Sequence, residues 1–180
     1  MSMQSRADDL PTRVVAMTAL YLALASVLGL VEASFLPPLP IPGAKLGLAN
    51  LAVVLALIQL GPWRALGVTL GRVFVVGLAT GMLGGPAFVL SLTGAAVAWF
   101  VMWRLTTRGE RYSAVGLSLG GAAGHAVAQL VVAVGVIGSA APLLLMPYSL
   151  GMACVTGLAI GLAARLILSR LPQPALSVAR

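Results

Sequence analysis

The chain has 180 residues, of which 60% are hydrophobic and only 8% are charged, and its mean hydropathy is +1.06. Soluble domains carry about a quarter charged residues, so this composition excludes an ordinary soluble protein and predicts an integral membrane protein. The net charge of +7 comes from basic residues scattered singly at the ends of apolar runs, which is not the pattern of a nucleic-acid-binding patch.

Six apolar runs predict an all-α membrane protein with six transmembrane helices. Prolines and glycines separate the runs, because proline cannot continue a helix. The predicted helices cover residues 14–36, 46–60, 65–82, 87–103, 114–137 and 143–168, and the second is short enough to begin in a partly re-entrant segment. Residues 14–168 are therefore expected to form a single membrane domain between an N-terminal tail, 1–13, and a C-terminal tail, 169–180.

The positions of the basic residues predict the orientation, since loops rich in Lys and Arg stay in the cytoplasm. Lys45 is the one basic residue in the loops of the opposite side. Both termini are therefore expected in the cytoplasm, and the proline-rich segment 37–43 is expected to face outward. The residues that determine this orientation are Arg6, Arg13, Arg64, Arg104, Arg108, Arg111, Arg165, Arg170 and Arg180.

Small residues recur at intervals of four and predict close packing between helices, because lipid offers no hydrophobic drive and small side chains let backbones approach. Gly67 and Gly71 form such a pair on the third helix, and Gly157 and Gly161 form one on the sixth.

Arg72 is the most informative ionisable residue. It lies about seven residues into the third predicted helix, roughly 10 Å from the cytoplasmic end at 1.5 Å per residue. A charge at this depth costs about 2.5 to 3.5 kcal/mol on insertion scales and usually faces a cavity or a partner. The alternatives are a side chain that extends to the membrane surface, or one that pairs with Glu32 or with a backbone carbonyl.

Polar residues at the outer ends of the first two helices suggest an anion site. Glu32 and Lys45 flank the proline-rich segment and could form an ion pair that holds it as a lid. Lys45 and Asn50 place donors near the start of the second helix, where the partial positive charge favours an anion. An ordinary helix start would explain the same residues.

A second polar group falls on the fifth helix. His125 and Gln129 are four residues apart and therefore project from one face near the middle of the membrane. We expect them to line a cavity; the alternative for a single histidine is a hydrogen-bonded position in the core. Tyr148, Ser149 and Thr69 could add further hydrogen bonds.

The sequence carries little catalytic chemistry. It has no Walker A pattern, so any drive from ATP would require a partner. The four carboxylates do not form the spaced aspartates that hold magnesium against a diphosphate. Cys154 and His125 are too few for a metal cluster. The sequence therefore predicts a protein that is not an enzyme and has no catalytic residues, metal or resident cofactor.

The segment 32–50, EASFLPPLPIPGAKLGLAN, resembles the six-helix family that is called either heptaprenyl diphosphate synthase component I or Gx transporter. Further similar motifs cover nearly the whole chain: GR at 71–72, SLTG at 91–94, GHA at 124–126 with Gln129, and TG at 156–157. The resemblance implies a bundle similar to the substrate-binding S components of energy-coupling-factor vitamin transporters, in which an outer loop closes over a small molecule.

The resemblance also implies partners and a cargo. In S components, small residues of the first helix dock a transmembrane coupling subunit, and Ala19 and Ala23 look like such a pair. Family members look like partners of flavin-attachment and Rnf-type electron-transfer systems, which makes a flavin (riboflavin, FMN or FAD) the expected cargo. Lys45 and Arg72 would suit a flavin phosphate. The alternatives for a partner are a coupling subunit with its ATPases or the flavin-attachment and electron-transfer machinery, and a homo-oligomer is left open. The expected location is the inner membrane of a prokaryote.

Two main hypotheses follow. The first is a transporter that binds a small anionic molecule in the outer half of the bundle, beneath the loop 37–43. Its ligand-binding residues would be Glu32, Lys45, Asn50, Arg72, His125 and Gln129. The second is a non-catalytic membrane subunit that recruits or stabilises a soluble prenyl diphosphate synthase. A purely structural assembly subunit is a third alternative.

Overall fold

The computed structural model describes residues 3–35, 47–107 and 113–171, and within these ranges it contains helices and no strand. The prediction of six α-helices is confirmed. A short 3-10 helix, Ala141–Leu145, precedes the last of them. The helices are α1 Met3–Phe35, α2 Leu48–Leu60, α3 Pro62–Ala79, α4 Pro86–Thr107, α5 Ala114–Ile137 and α6 Met146–Arg170. Lys45 and the proline-rich segment 37–43 lie outside the described residues.

Four helical stretches are long and apolar enough to cross a membrane: Thr12–Ser34, Pro86–Thr107, Ala114–Ile137 and Ala141–Arg170. The chain is therefore a membrane protein. α2 has 13 residues and spans about 20 Å, less than the hydrocarbon thickness of about 30 Å. α3 is 18 residues long and contains two arginines, which lower its hydropathy. Six complete crossings and the orientation of the termini stay predictions.

Several helix ends differ from the predicted ones. α1 begins at Met3 instead of residue 14, so residues 3–13 continue the helix that was expected to follow a tail. Hydropathy indicates only where the apolar, membrane-crossing part of a helix starts. The helix itself can begin earlier, in residues that are too polar to be part of the crossing. α3 begins at Pro62 and α4 at Pro86, because proline fits the first turn of a helix, where its missing N–H is not needed.

α2 lies at the centre of the bundle, where it contacts α1, α3, α5 and α6. Nine of its 13 residues are buried, as expected for a helix that is apolar on all sides. The Tyr21 hydroxyl of α1 donates a hydrogen bond to Gln59 Oε1 of α2, at 2.5 Å. The Trp99 Nε1 of α4 donates to the Pro62 carbonyl at 2.8 Å. These two bonds connect helices at positions where polar groups are buried.

The prediction of close packing at glycine pairs is confirmed for α6 and is wrong for one residue of α3. A Cβ added to Gly161 would lie 2.5 Å from the Cα of Val115, and one added to Gly157 would lie 3.1 Å from the Cα of Leu119. α5 and α6 therefore approach closely. Gly67 is exposed, and a Cβ there would meet no atom within 4 Å.

Candidate ligand-binding cavity

A cavity of about 420 Å³ lies inside the bundle, and all six α-helices and the 3-10 helix contribute to its wall. This volume is typical of sites for small molecules, which occupy about 300 to 1,000 Å³. Most of the lining is apolar or small. The polar residues in the wall are Glu32, Asn50, Arg72, Ser91, Ser118, His125, Gln129, Tyr148, Ser149 and Thr156.

Packing brings together five of the six predicted ligand-binding residues in this one wall. They come from α1, α2, α3 and α5, and the sixth, Lys45, lies outside the described residues. Their contact with a ligand stays a prediction. Thr69 was expected to add a hydrogen bond but is not part of the wall; it is buried outside it, and its hydroxyl donates to the carbonyl of Ala65 at 2.7 Å. Tyr148 and Ser149 do line it.

Three polar atoms in the wall are buried without a hydrogen-bond partner: Arg72 Nε, Gln129 Nε2 and Ser118 Oγ. Gln129 is 8% exposed and Ser118 is fully buried. Buried polar groups are nearly always hydrogen-bonded, because an unpaired one costs about 1–3 kcal/mol. The N–H groups of Arg72 and Gln129 can only donate, so the group that would satisfy them must accept.

Glu32 connects the C-terminal end of α1 to the start of α2. Its Oε1 accepts a hydrogen bond at 2.7 Å from the backbone N–H of Gly47, which precedes α2. Gly47 has a φ of 74°, a left-handed conformation that favours glycine. Glu32 is only 6% exposed, and its charge acts on the guanidinium of Arg72. Arg72 therefore lines the cavity and lies within electrostatic range of a carboxylate, and both its ligand contact and its pairing with Glu32 stay predictions.

Gly94 of α4 makes room for the polar face of α5. A Cβ at Gly94 would lie 2.8 Å from His125 Cε1 and 3.0 Å from Gln129 Cγ. Ser118, His125 and Gln129 follow one another at intervals of seven and four residues, so they share one face of α5. A residue larger than glycine at position 94 would displace the side chains that face the cavity.

Sequence reasoning missed Ser91, Ser118 and Thr156. Ser91 and Thr156 fall within motifs that carry the family resemblance, and Ser118 precedes His125 by two helical turns. Thr156 donates to the Met152 carbonyl at 2.9 Å, so its hydroxyl already has a partner. The helical spacing could have identified Ser118 as a residue of the same face, but not as one without a partner.

The described part of the chain contains no group of three His, Cys, Asp or Glu that could hold a metal ion. Glu32 is the one carboxylate among the side chains that the structure describes. Magnesium-dependent diphosphate chemistry needs several carboxylates in one place. Among the described residues, the cavity wall therefore has hydrogen-bond donors and no such carboxylate cluster.

Comparison with known proteins gives one match. The model of the family described as heptaprenyl diphosphate synthase component I matches residues 21–167, a range that includes every residue of the cavity wall. No curated protein and no solved structure matches the chain. The resemblance to flavin transporters and to S components therefore stays a prediction. Because the match covers most of the sequence, the chain belongs to the heptaprenyl diphosphate synthase component I family.

Proposed function

We propose that this chain is a non-catalytic membrane subunit of a prenyl diphosphate synthase assembly, and that its cavity binds a small anionic molecule. The observation that carries the proposal is the buried pair of unpartnered donors, Arg72 Nε and Gln129 Nε2, in the wall of one cavity. The description of the family supports the association with a synthase. The catalytic aspartates and magnesium would then belong to the partner enzyme.

The chemistry of the wall favours an anion. An arginine presents only donors and keeps its charge, and a carboxylate or phosphate accepts from it more strongly than a neutral group does. Asn50 adds an amide from α2, and His125 adds an imidazole between the two ends of the cavity. The negative charge of Glu32 compensates Arg72 when no ligand is bound, and a ligand anion would compete with it.

Binding can be tested directly with the full chain in lipid nanodiscs, using farnesyl diphosphate and FMN as anionic probes. A hydrogen bond to a charged group contributes about 1.5–3 kcal/mol, so Arg72→Gln should weaken binding by about 10- to 150-fold. Arg64→Gln is the matched control, since Arg64 lies on the same helix, is exposed, and bonds the Leu60 carbonyl away from the cavity. Equal affinity in wild-type protein and Arg72→Gln would refute the proposed anion site.

The association with a synthase needs its own experiment. The tagged chain would be purified from native membranes in mild detergent, and the eluate assayed for condensation of farnesyl diphosphate with isopentenyl diphosphate. We expect prenyltransferase activity in the eluate and none in a mock purification. An eluate without activity, from membranes whose cytosol contains the enzyme, would refute the association.

A carrier is the second candidate function, and the extent of the cavity favours it. Residues of α5 line it from Ser118 to Ile137, about 28 Å along the helix axis, which is most of the thickness of a bilayer core. In this alternative a six-crossing, S-component-like bundle with cytoplasmic termini would move a flavin. Ala19 and Ala23 are exposed on α1 and remain available to a coupling subunit. Uptake of riboflavin or FMN into proteoliposomes would favour the carrier, and its absence alongside copurified synthase activity would favour the subunit.

A further inference from the structure

Ser118 has a buried hydroxyl with no hydrogen-bond partner and lies at the end of the cavity near the start of α5. It is 0% exposed, its Oγ makes no hydrogen bond, and it lies in the cavity wall about one turn after the start of α5. Serine and threonine hydroxyls inside a helix normally satisfy themselves by donating to the carbonyl one turn earlier. Ser118 lacks this bond.

Six other hydroxyls of the bundle make the bond that Ser118 lacks. Each donates to the carbonyl four residues earlier, at 2.7–2.9 Å, including those outside the cavity. They are Thr18, Ser26, Thr69, Thr80, Thr93 and Thr156. Among the described residues, Ser118 is therefore the one whose hydroxyl is fully buried and makes no hydrogen bond.

Packing does not explain a serine at this position. A Cβ at Gly161 would lie 3.2 Å from the Cβ of Ser118, so the neighbouring helix contacts the part of the side chain that alanine would share. Alanine would fill the same space without an unpaired hydroxyl, which costs about 1–3 kcal/mol when buried. The unpaired hydroxyl thus lowers the stability of the fold. A hydrogen bond to a molecule that enters the cavity would offset this loss.

Ser118 lies far from Gln129, one of the two residues with an unpartnered donor. Eleven residues separate them on the same face of α5, which corresponds to about 16 Å along the axis. The cavity therefore has the Gln129 donor toward one end and the hydroxyl of Ser118 toward the other. A ligand that satisfies both must be elongated and polar at both ends.

We infer that the Ser118 side chain turns its hydroxyl into the cavity when a ligand binds and hydrogen-bonds an uncharged polar group of that ligand, while Arg72 and Gln129 hold its anionic group. This inference rests on the proposed anion site and narrows the ligand to an elongated anion that carries a hydroxyl, carbonyl or ring nitrogen at its distal end. A prenyl diphosphate, whose distal end is hydrocarbon, leaves the hydroxyl of Ser118 unsatisfied.

The test compares two probes on nanodisc-embedded full-length protein. FMN carries a phosphate and a ring with carbonyls, and farnesyl diphosphate carries a diphosphate and a hydrocarbon chain. Ser118→Ala should weaken FMN binding by about three- to tenfold, the value of a neutral hydrogen bond, and should leave farnesyl diphosphate binding unchanged or tighter. Ser26→Ala is the matched control, because Ser26 is also buried but bonds the Leu22 carbonyl and lies outside the cavity wall. Unchanged thermal unfolding of Ser118→Ala would show that the variant folds.

The outcomes separate this inference from the proposed function. If Arg72→Gln loses affinity for both probes while Ser118→Ala binds FMN like the wild type, the inference is overturned and the anion site stands. Binding of farnesyl diphosphate without any binding of FMN overturns it as well. If neither probe binds the wild-type protein, both the inference and the proposed anion site fail.

Discussion

The substitution Gly161→Ala tests whether the contact between α5 and α6 leaves room for a single methyl group. The added Cβ would lie 2.5 Å from the Cα of Val115 and 3.2 Å from the Cβ of Ser118. The first of these atoms belongs to the backbone and cannot rotate away. Since ordinary contacts begin at 3.4 Å, α6 would have to move about 0.9 Å away from α5 at this point.

The expected loss of stability follows from two opposing terms. Overpacking of a tight contact costs about 1–3 kcal/mol. Replacing a helical glycine by alanine contributes about 0.5–1 kcal/mol in the opposite direction. Gly151 lies on the same helix, is exposed, and has no atom within 4 Å of an added Cβ. Gly151→Ala should therefore show only the gain in stability from replacing a helical glycine, without the cost of overpacking. The free energy of unfolding of Gly161→Ala should therefore lie about 1–3 kcal/mol below that of Gly151→Ala.

Unfolding of the two variants can be followed by circular dichroism in mixed detergent micelles and by Tm. A difference of this size corresponds to a Tm lower by about 2–12 °C for a chain of this length. Gly161→Ala should also disturb the end of the cavity near Ser118 and weaken binding of an anionic probe. Equal stability of the two alanine variants would refute the close contact of α5 and α6 at Gly161.

Three further substitutions have defined outcomes. Gly94→Ala would place a Cβ 2.8 Å from His125 Cε1, so probe affinity in nanodisc titrations should fall by about 5- to 150-fold, equivalent to the 1–3 kcal/mol typical of overpacking. Glu32→Gln keeps an acceptor for the backbone N–H of Gly47 but removes the negative charge near Arg72. In the same titration, the affinity for the anionic probe should therefore rise by about threefold or more. Tyr21→Phe leaves a buried glutamine oxygen of α2 without its donor, which should lower the free energy of unfolding by about 1–3 kcal/mol in denaturant titrations.

Each of these substitutions has a matched control. Gly135→Ala adds a methyl group to α5 where no atom lies within 4 Å, and it should leave affinity unchanged. Glu32→Ala removes both the charge and the hydrogen bond to Gly47, so it separates the two roles of the carboxylate. Tyr148→Phe removes the hydroxyl of a half-exposed tyrosine and should cost less stability than Tyr21→Phe. Weaker anion binding by Glu32→Gln would contradict the competition between Glu32 and the ligand.

The helices could be predicted from the sequence because their signal is local. Apolar runs interrupted by prolines and glycines define each segment, and the thickness of a bilayer sets its length. The pairing of His125 with Gln129 on one face of α5 was also predictable, since helical spacing depends only on residue number. The start of α1 at Met3 was not predictable in this way, because a helix that continues into water carries no hydropathy signal.

The tertiary structure alone decided which polar residues face the cavity. Thr69 and Ser118 are both hydroxyl residues in apolar helices, yet one bonds its own backbone and the other lies unpaired in the cavity wall. Arg72 and Glu32 come from different helices, and only the packing of α1 against α3 places the carboxylate where it acts on the guanidinium. The physical reason is that helix formation depends on neighbours along the chain, whereas a cavity forms where side chains from distant segments fail to fill the space between helices.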